Sequence, residues 1–386
     1  MRKATRKTPL TVWLLVLLVA LFAAACTDDG ADEEPDLPDD TDDVGLDDDV
    51  AQDDDTDSDT GGKLEEVRSR GELICGINDV VPGFGVIGED GEAAGFDVDI
   101  CRAIAAAVLG DADAVEFRPI AVAERFTTLQ ADEIDVLSRN TTWTASRDGT
   151  EGAAFVTTTY YDGQGMMVRA DDGFESIDDM ENTVICVLEG TTTELNLATR
   201  FADIAYEPQT FSDADDIQEA FIAEACDGWT SDLSQLASRR AVYPEESGGP
   251  DSLVIFDEVF SKEPLGPAVA DGDQEWFDAV NWAVIGLIQA EEFGITSENI
   301  ADFDDSEDLD IRRFLGLEGL EGDDEGVVFD PGIGLDTDFN RTMIEAVGNY
   351  GELFAQHLGP DTPLGLERGE NNLWTEGGLL YAPPYR

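Results

Sequence analysis

The chain has 386 residues, with 87 Asp+Glu against 22 Lys+Arg and a formal net charge of −65 at pH 7. That length suits about two domains. So strong a negative field repels nucleic acid and anionic lipid headgroups, which excludes both as expected partners, although a local pocket of opposite sign can still hold an acidic ligand.

The N-terminus reads as a targeting segment over residues 1–26. Arg2, Lys3, Arg6 and Lys7 form a basic start, and an apolar run follows from Val12 to Phe22. That run falls short of the roughly 20 residues a membrane span needs, so a signal peptide fits better. Three alanines precede Cys26, the position at which a lipoprotein peptidase would cut and a lipid anchor would attach. Ala23 stands where such sites usually carry Leu. Residues 27–62 are rich in Asp and Glu and carry no Lys or Arg. Such a stretch repels itself and has little to bury, so it is expected to be an extended spacer. The rest of the chain is acidic as well, which fits a solvated acidic surface.

Four cysteines remain: Cys75, Cys101, Cys186 and Cys226. In an exported chain they suggest two disulfides. Three pairings are open; locality favours Cys75 with Cys101 and Cys186 with Cys226.

From residue 64 strands alternate with helices. LICGIN (73–78) reads as a strand opening into a Gly/Pro loop, DVVPGFG. FDVDICRAIAAAVLG (96–110) reads as a helix with Asp97 as N-cap and Ile100, Ile104 and Val108 along one face. AVEFRPI (114–120) is strand-like, AERFTTLQADE (123–133) helical, and IDVLS (134–138) a strand. The pattern restarts with TVICVL (183–188), a helix in EGTTTELNLATRF (189–201), a short strand YEPQTF, a helix DADDIQEAFIAEA (213–225), a strand CDGWTS (226–231) and a helix DLSQLASRR (232–240). The C-terminal third is more helical, with stripes over 275–294 and 341–359. This alternation predicts two α/β lobes built on parallel sheets.

In such sheets ligands bind at the carboxyl ends of strands. SRNTTWTASRD (138–148) follows one such end and combines hydroxyl and amide side chains with Arg139 and Arg147. Thr144 is placed to cap a helix, bringing Arg147 beside free backbone N–H groups. A guanidinium, hydroxyls and helix-start amides together suit a carboxylate. EGTTTE (189–194) repeats the theme after the strand ICVL, with Thr191, Thr192 and Thr193. Asp232 starts a helix after a third strand, and its carboxylate suits an ammonium. Each feature alone also reads as an ordinary helix cap. Together they describe an α-amino acid held between two lobes.

GFDVDICRAIAAAV (95–108) resembles the signature of the polar amino-acid solute-binding proteins of ABC importers. AERFTTLQADEIDVLSRNTTWT, TYYDGQGMMV (159–168), LEGTTTELNLA (188–198), SKEPLGPAV (261–269), VGNYGELF (347–354) and NNLWTEGGLLYAPPYR (371–386) are similar to the general L-amino-acid-binding subgroup. The likeness covers residues 64–386. It implies a two-lobed, periplasmic-binding-protein-like (type II) α/β fold with the ligand cleft between lobes. Lobe 1 would comprise 63–165 and 261–386, and lobe 2 would comprise 166–260. It implies that Arg147 clamps the ligand carboxylate with help from Asn140 and Thr142, that Thr192 closes from lobe 2, and that Asp232 takes the ammonium. It points to Phe84 as the aromatic covering the ligand side chain, with Trp143 a second candidate, and it favours the cysteine pairing given above. It further implies delivery of L-amino acids to the permease subunits of an ABC importer. With the N-terminal segment, which lies outside the likeness, the expectation is an exported, envelope-located monomer, lipid-anchored to the membrane through Cys26, with no cofactor or metal.

The alternatives are an exported, dehydratase-like enzyme on the same fold or a ligand-sensing receptor component. An enzyme would need an acid or base beyond the clamp. The single histidine, His357, sits in an amphipathic helical stretch, and no Ser-His-Asp set or metal-ligand cluster is legible. The expectation is therefore a binding protein and not an enzyme.

Overall fold

The computed structural model describes residues 62–320 and 325–386. The signal peptide, Cys26 and the acidic spacer up to residue 61 lie outside the described residues.

Two five-stranded sheets organise the chain. In the first, the order is Val115–Pro119, Leu73–Ile77, Val136–Leu137, Ala268–Ala270, Ala153–Phe155. The first three are parallel, and Ala268–Ala270 runs antiparallel to both its neighbours. In the second, the order is Tyr206–Phe211, Thr183–Leu188, Gly228–Asp232, Gln164–Arg169, Leu253–Ile255. Again three strands are parallel, and Gln164–Arg169 is antiparallel to both sides. Each sheet thus takes one strand from the chain just after it has crossed from the other half. The crossing segments, Tyr160–Asp162 and Glu263–Leu265, pair antiparallel as a two-stranded ribbon. Two short extended connections that share hydrogen bonds thus join the two sheets.

Helices cover both sheets. Phe96–Leu109 is buried on nearly every side, with Arg102 the only residue before Leu109 that escapes full burial. It packs in one core with Gln274–Phe293 and Phe339–Val347, so the C-terminal third completes the first lobe. Ile100, Ile104 and Val108 are buried, but as part of a fully covered helix rather than a single apolar face. Its N-cap is Gly95, not Asp97. Gly95 has φ +142°, and a Cβ there would collide with the Phe84 carbonyl, a close approach that glycine alone permits. Asp97 is left free to reach elsewhere.

Other boundaries differ for local reasons. The DVVPGFG loop contributes to a small three-stranded antiparallel sheet, Val80–Val81, Gly85–Ile87 and Ala93–Ala94. The stripe over 341–359 divides into Phe339–Val347 and Tyr350–His357. Gly348 (φ +83°) ends the first helix, and Asn349 starts the second with a reciprocal capping box to Glu352. Two good helices thus sit on one apolar stripe, broken by their caps. Cys75 is bonded to Cys101 and Cys186 to Cys226, one bridge in each lobe, tying a central strand to the helix or strand start beside it.

Candidate functional site

The carboxyl ends of the parallel strands from both sheets meet at one cavity of about 80 Å³. Asn140, Thr142, Arg147, Thr192 and Asp232 all line it.

Arg147 sits on the short helix Ala145–Gly149. Thr144 caps that helix by accepting a hydrogen bond from Arg147 N at 3.3 Å. Arg147 Nη1 donates to Thr142 O at 2.6 Å, which fixes the guanidinium, and its plane lies 5.4 Å from the Phe126 ring centroid. Burial lowers the arginine's pKa from its ordinary value, while Asp232 and Glu263 nearby oppose that shift. Asn140 adopts φ +35°. Its N–H donates to Asp97 Oδ2 at 2.6 Å, and its Oδ1 accepts from Asn78 Nδ2 at 3.0 Å. The Asp97 carboxylate therefore holds the loop in a strained backbone conformation that an asparagine tolerates.

From the second lobe, Thr191 caps the helix Thr192–Arg200, and Thr192 lies at its first turn. Thr192 Oγ1 donates to Glu263 Oε2 at 2.8 Å and lies 3.4 Å from Thr142 Oγ1. Arg125 Nη2 to Gly190 O (3.4 Å) and Ser238 Oγ to Pro82 O (2.7 Å) also cross between lobes. These contacts bridge the two walls of the cavity.

Asp232 ends the strand Gly228–Asp232, yet its side chain does not cap the helix Leu233–Ala241 that follows. The carboxylate is buried, and its Oδ1 has no hydrogen-bond partner. Burial, then the neighbouring Asp162 and Glu263 carboxylates, push its pKa well above the usual carboxylate range, against the pull of Arg147 and Arg125. An orphaned acceptor of this kind is costly unless something supplies a donor and a positive charge.

Both aromatic candidates lie outside the cavity lining. Phe84 is buried in the core of the first lobe, edge-on to Phe96 (6.3 Å) and Tyr160 (5.4 Å). Trp143 is 43% exposed and stacks on Phe155. Along an extended stretch successive side chains alternate sides, so Trp143 faces away while Thr142 faces in.

Two lining arginines went unassigned in the sequence reading. Arg139 Nε donates to Ile120 O at 2.6 Å. Arg125 opens the helix Arg125–Gln130 and is 4% exposed. In sequence its only signal is a charge at the start of an amphipathic helix, which normally marks a solvated position.

The sequence pattern of the bacterial extracellular solute-binding proteins, family 3, matches residues 73–298. The chain belongs to this family. This solute-binding protein is 46% identical over 326 residues to the glutamate/glutamine/aspartate/asparagine-binding protein BztA of Rhodobacter capsulatus, covering 84% of this chain and 93% of that one. It is also 46% identical over 325 residues to the general L-amino acid-binding periplasmic protein AapJ of Rhizobium johnstonii, covering 84% and 92%. A periplasmic binding protein from Brucella ovis, solved with glutathione bound, superposes with a TM-score of 0.79 at 42% identity, over 84% of this chain and all of that one. The two-lobed fold and the extracytoplasmic solute-binding role follow. Among the described residues no helix is long and apolar enough to cross a membrane.

The Asp97 contact gives a pH-dependent prediction. Burial pushes the Asp97 carboxyl up to about 7. The folded protein then keeps a proton that the unfolded chain has released from about pH 4 upward, so this group's contribution to stability falls as pH rises from about 4 to about 7. Asp97→Asn retains an acceptor for Asn140 N but cannot titrate. Chemical denaturation across that range should show a flatter profile for the variant, by up to about 1.4 kcal/mol per pH unit. Parallel profiles would remove Asp97 as the titrating group.

Proposed function

We propose that this solute-binding protein captures a free L-amino acid between its lobes and delivers it to the membrane subunits of an ABC-type importer. In this reading lobe 1 comprises residues 63–165 and 261–386 and lobe 2 residues 166–260, hinged at the paired crossing strands. Arg147 takes the α-carboxylate, with Asn140 and Thr142 beside it and Thr192 closing from lobe 2. Asp232 takes the ammonium. The observation that carries the reading is a buried guanidinium and a buried carboxylate with an orphaned oxygen lining one cavity. A zwitterion supplies the opposite charge to each at once, and two paired charges can be buried where one unpaired charge cannot.

The names of BztA and AapJ support the amino-acid class. A lipid anchor on Cys26 and a monomeric state complete the proposal, and the acidic spacer would serve as a tether.

A thermal-shift screen of the twenty amino acids, dipeptides and sugars, at low and high salt, tests the reading. Amino acids at about 100 times Kd should stabilise the folded protein by about 2.7 kcal/mol. A response confined to sugars, or to dipeptides, would overturn it.

A further inference from the structure

We infer that Glu263 is a positioning residue for the ligand's ammonium group: it takes the Thr192 hydroxyl proton and so leaves that hydroxyl facing the cavity as an acceptor. The inference rests on the amino-acid reading above. It starts from a count of protons on the wall that the second lobe contributes. Thr191, Thr192 and Thr193 all line the cavity. A threonine hydroxyl has one proton to give and two lone pairs that accept. Thr191 Oγ1 gives its proton to Leu188 O at 2.7 Å. Thr193 Oγ1 lies 2.8 Å from Thr191 Oγ1 and, with that proton already placed, is the donor between them. Thr192 Oγ1 gives its proton to Glu263 Oε2 at 2.8 Å. The 3.4 Å contact between Thr192 and Thr142 then has Thr142 as its donor. No hydroxyl proton of these three threonines is left for an anion, and Thr192 keeps one lone pair for an N–H.

Glu263 is held for this task. It is 1% exposed and starts the crossing strand Glu263–Leu265. Its Oε1 receives Asn196 Nδ2 at 2.9 Å and the Ser261 hydroxyl, which leaves Oε2 to Thr192. Its charge is felt in the cavity, where it favours a charged Arg147 and disfavours a charged Asp232. An amide at this position would reverse the polarity of Thr192. In Glu263→Gln the remaining oxygen serves Asn196 and Ser261, and an NH₂ group stands where Oε2 was. Thr192 must then accept from that NH₂ and turn its own proton into the cavity, against an ammonium. The lost negative charge adds little to this effect, because its weaker pull on the ammonium is offset by easier ionisation of Asp232. The threonine cluster after the strand Thr183–Leu188 thus joins Asp232 on the ammonium side of the ligand, whereas its hydroxyls in sequence suit a carboxylate equally well.

A double-mutant cycle read by isothermal titration of the full chain with L-glutamine, L-glutamate and L-leucine decides the matter. Glu263→Gln should weaken whichever of these bind by about tenfold or more. In a Thr192→Val background, where no hydroxyl remains to be reversed, the same substitution should change affinity by less than about threefold. An unaltered affinity in Glu263→Gln overturns the inference. So does an equal loss in both backgrounds, which is what a merely structural role for Glu263 would give. Thr192→Ser, tested with Glu263 intact, keeps the hydroxyl and should bind within about threefold of the unmodified protein, whereas Thr192→Val should lose about tenfold. Valine binding as well as serine overturns the inference even where Glu263→Gln fails to fold. Each of these outcomes leaves the amino-acid reading intact, because the unmodified protein still binds. If none of the three amino acids binds the unmodified protein, the amino-acid reading itself falls and this inference with it.

Discussion

Replacing Arg147 with alanine should reduce amino-acid affinity by at least about 100-fold, below detection in a standard titration, while the protein still melts cooperatively. The loss follows from what the side chain does. Its guanidinium is pre-aimed by the bond to Thr142 O and by the Phe126 ring, so little freedom is lost on binding a carboxylate. Truncation removes that donor and leaves a carboxylate buried without a counter-charge, a change worth about 2–5 kcal/mol or more. The fold should tolerate the change, because the helix Ala145–Gly149 is capped through Arg147's backbone N–H rather than its side chain. Calorimetry returning an unaltered Kd would place the ligand carboxylate elsewhere, with Arg125 the first alternative.

The second large effect is expected at Asp232. Asp232→Asn preserves shape but removes the charge, so a bound ammonium would be buried against a neutral amide. Affinity should fall by about 2–4 kcal/mol, roughly 30- to 1000-fold. The same residue sets a pH dependence. With the lobes in contact the Asp232 carboxyl is held well above the ordinary carboxylate range, because burial and then the Asp162 and Glu263 carboxylates disfavour its charge. A protonated Asp232 offers no charge to an ammonium. Pairing with an ammonium there favours loss of the proton, so wild-type affinity should rise with increasing pH across this group's titration. The asparagine variant should lack that rise. Equal slopes for the two proteins would take Asp232 out of the ammonium site.

Both variants also test how binding is linked to closure. Thr142 and Thr192 approach each other across the cleft, and Arg125 reaches Gly190. These contacts exist only when the lobes meet. A ligand touching Arg147 in one lobe and Asp232 in the other gains both interactions only in that state, so it shifts the population toward it. Glu263, on a hinge strand, accepts from Thr192 and Asn196 of the second lobe. It thus joins the hinge to the helix that closes the cavity.

The alternation of apolar runs and amphipathic helices was enough to read the strands Leu73–Ile77, Val115–Pro119 and Thr183–Leu188 and most helices, because side-chain period is a local property of the chain. The Thr144 cap and the placement of Arg147 at a helix start were legible for the same reason. The break at Gly348–Asn349 was missed because one apolar stripe runs through both helices, and only the caps divide it. Asp97 looked like an N-cap by position, yet Gly95's contact with the Phe84 carbonyl starts the helix and frees Asp97 to hold Asn140.

By itself the sequence determined the two α/β units and a pairing order for the cysteines that the folded chain adopts. These depend on neighbours within a few tens of residues. Only the tertiary structure decided which side chains share the cavity. It turned Phe84 into the core and Trp143 outward, brought Arg125 from an ordinary helix start into a buried wall, and set Glu263 against Thr192. Membership of the cavity depends on two sheets converging across a hinge and on the direction of each side chain there, and no local pattern of residues carries that information.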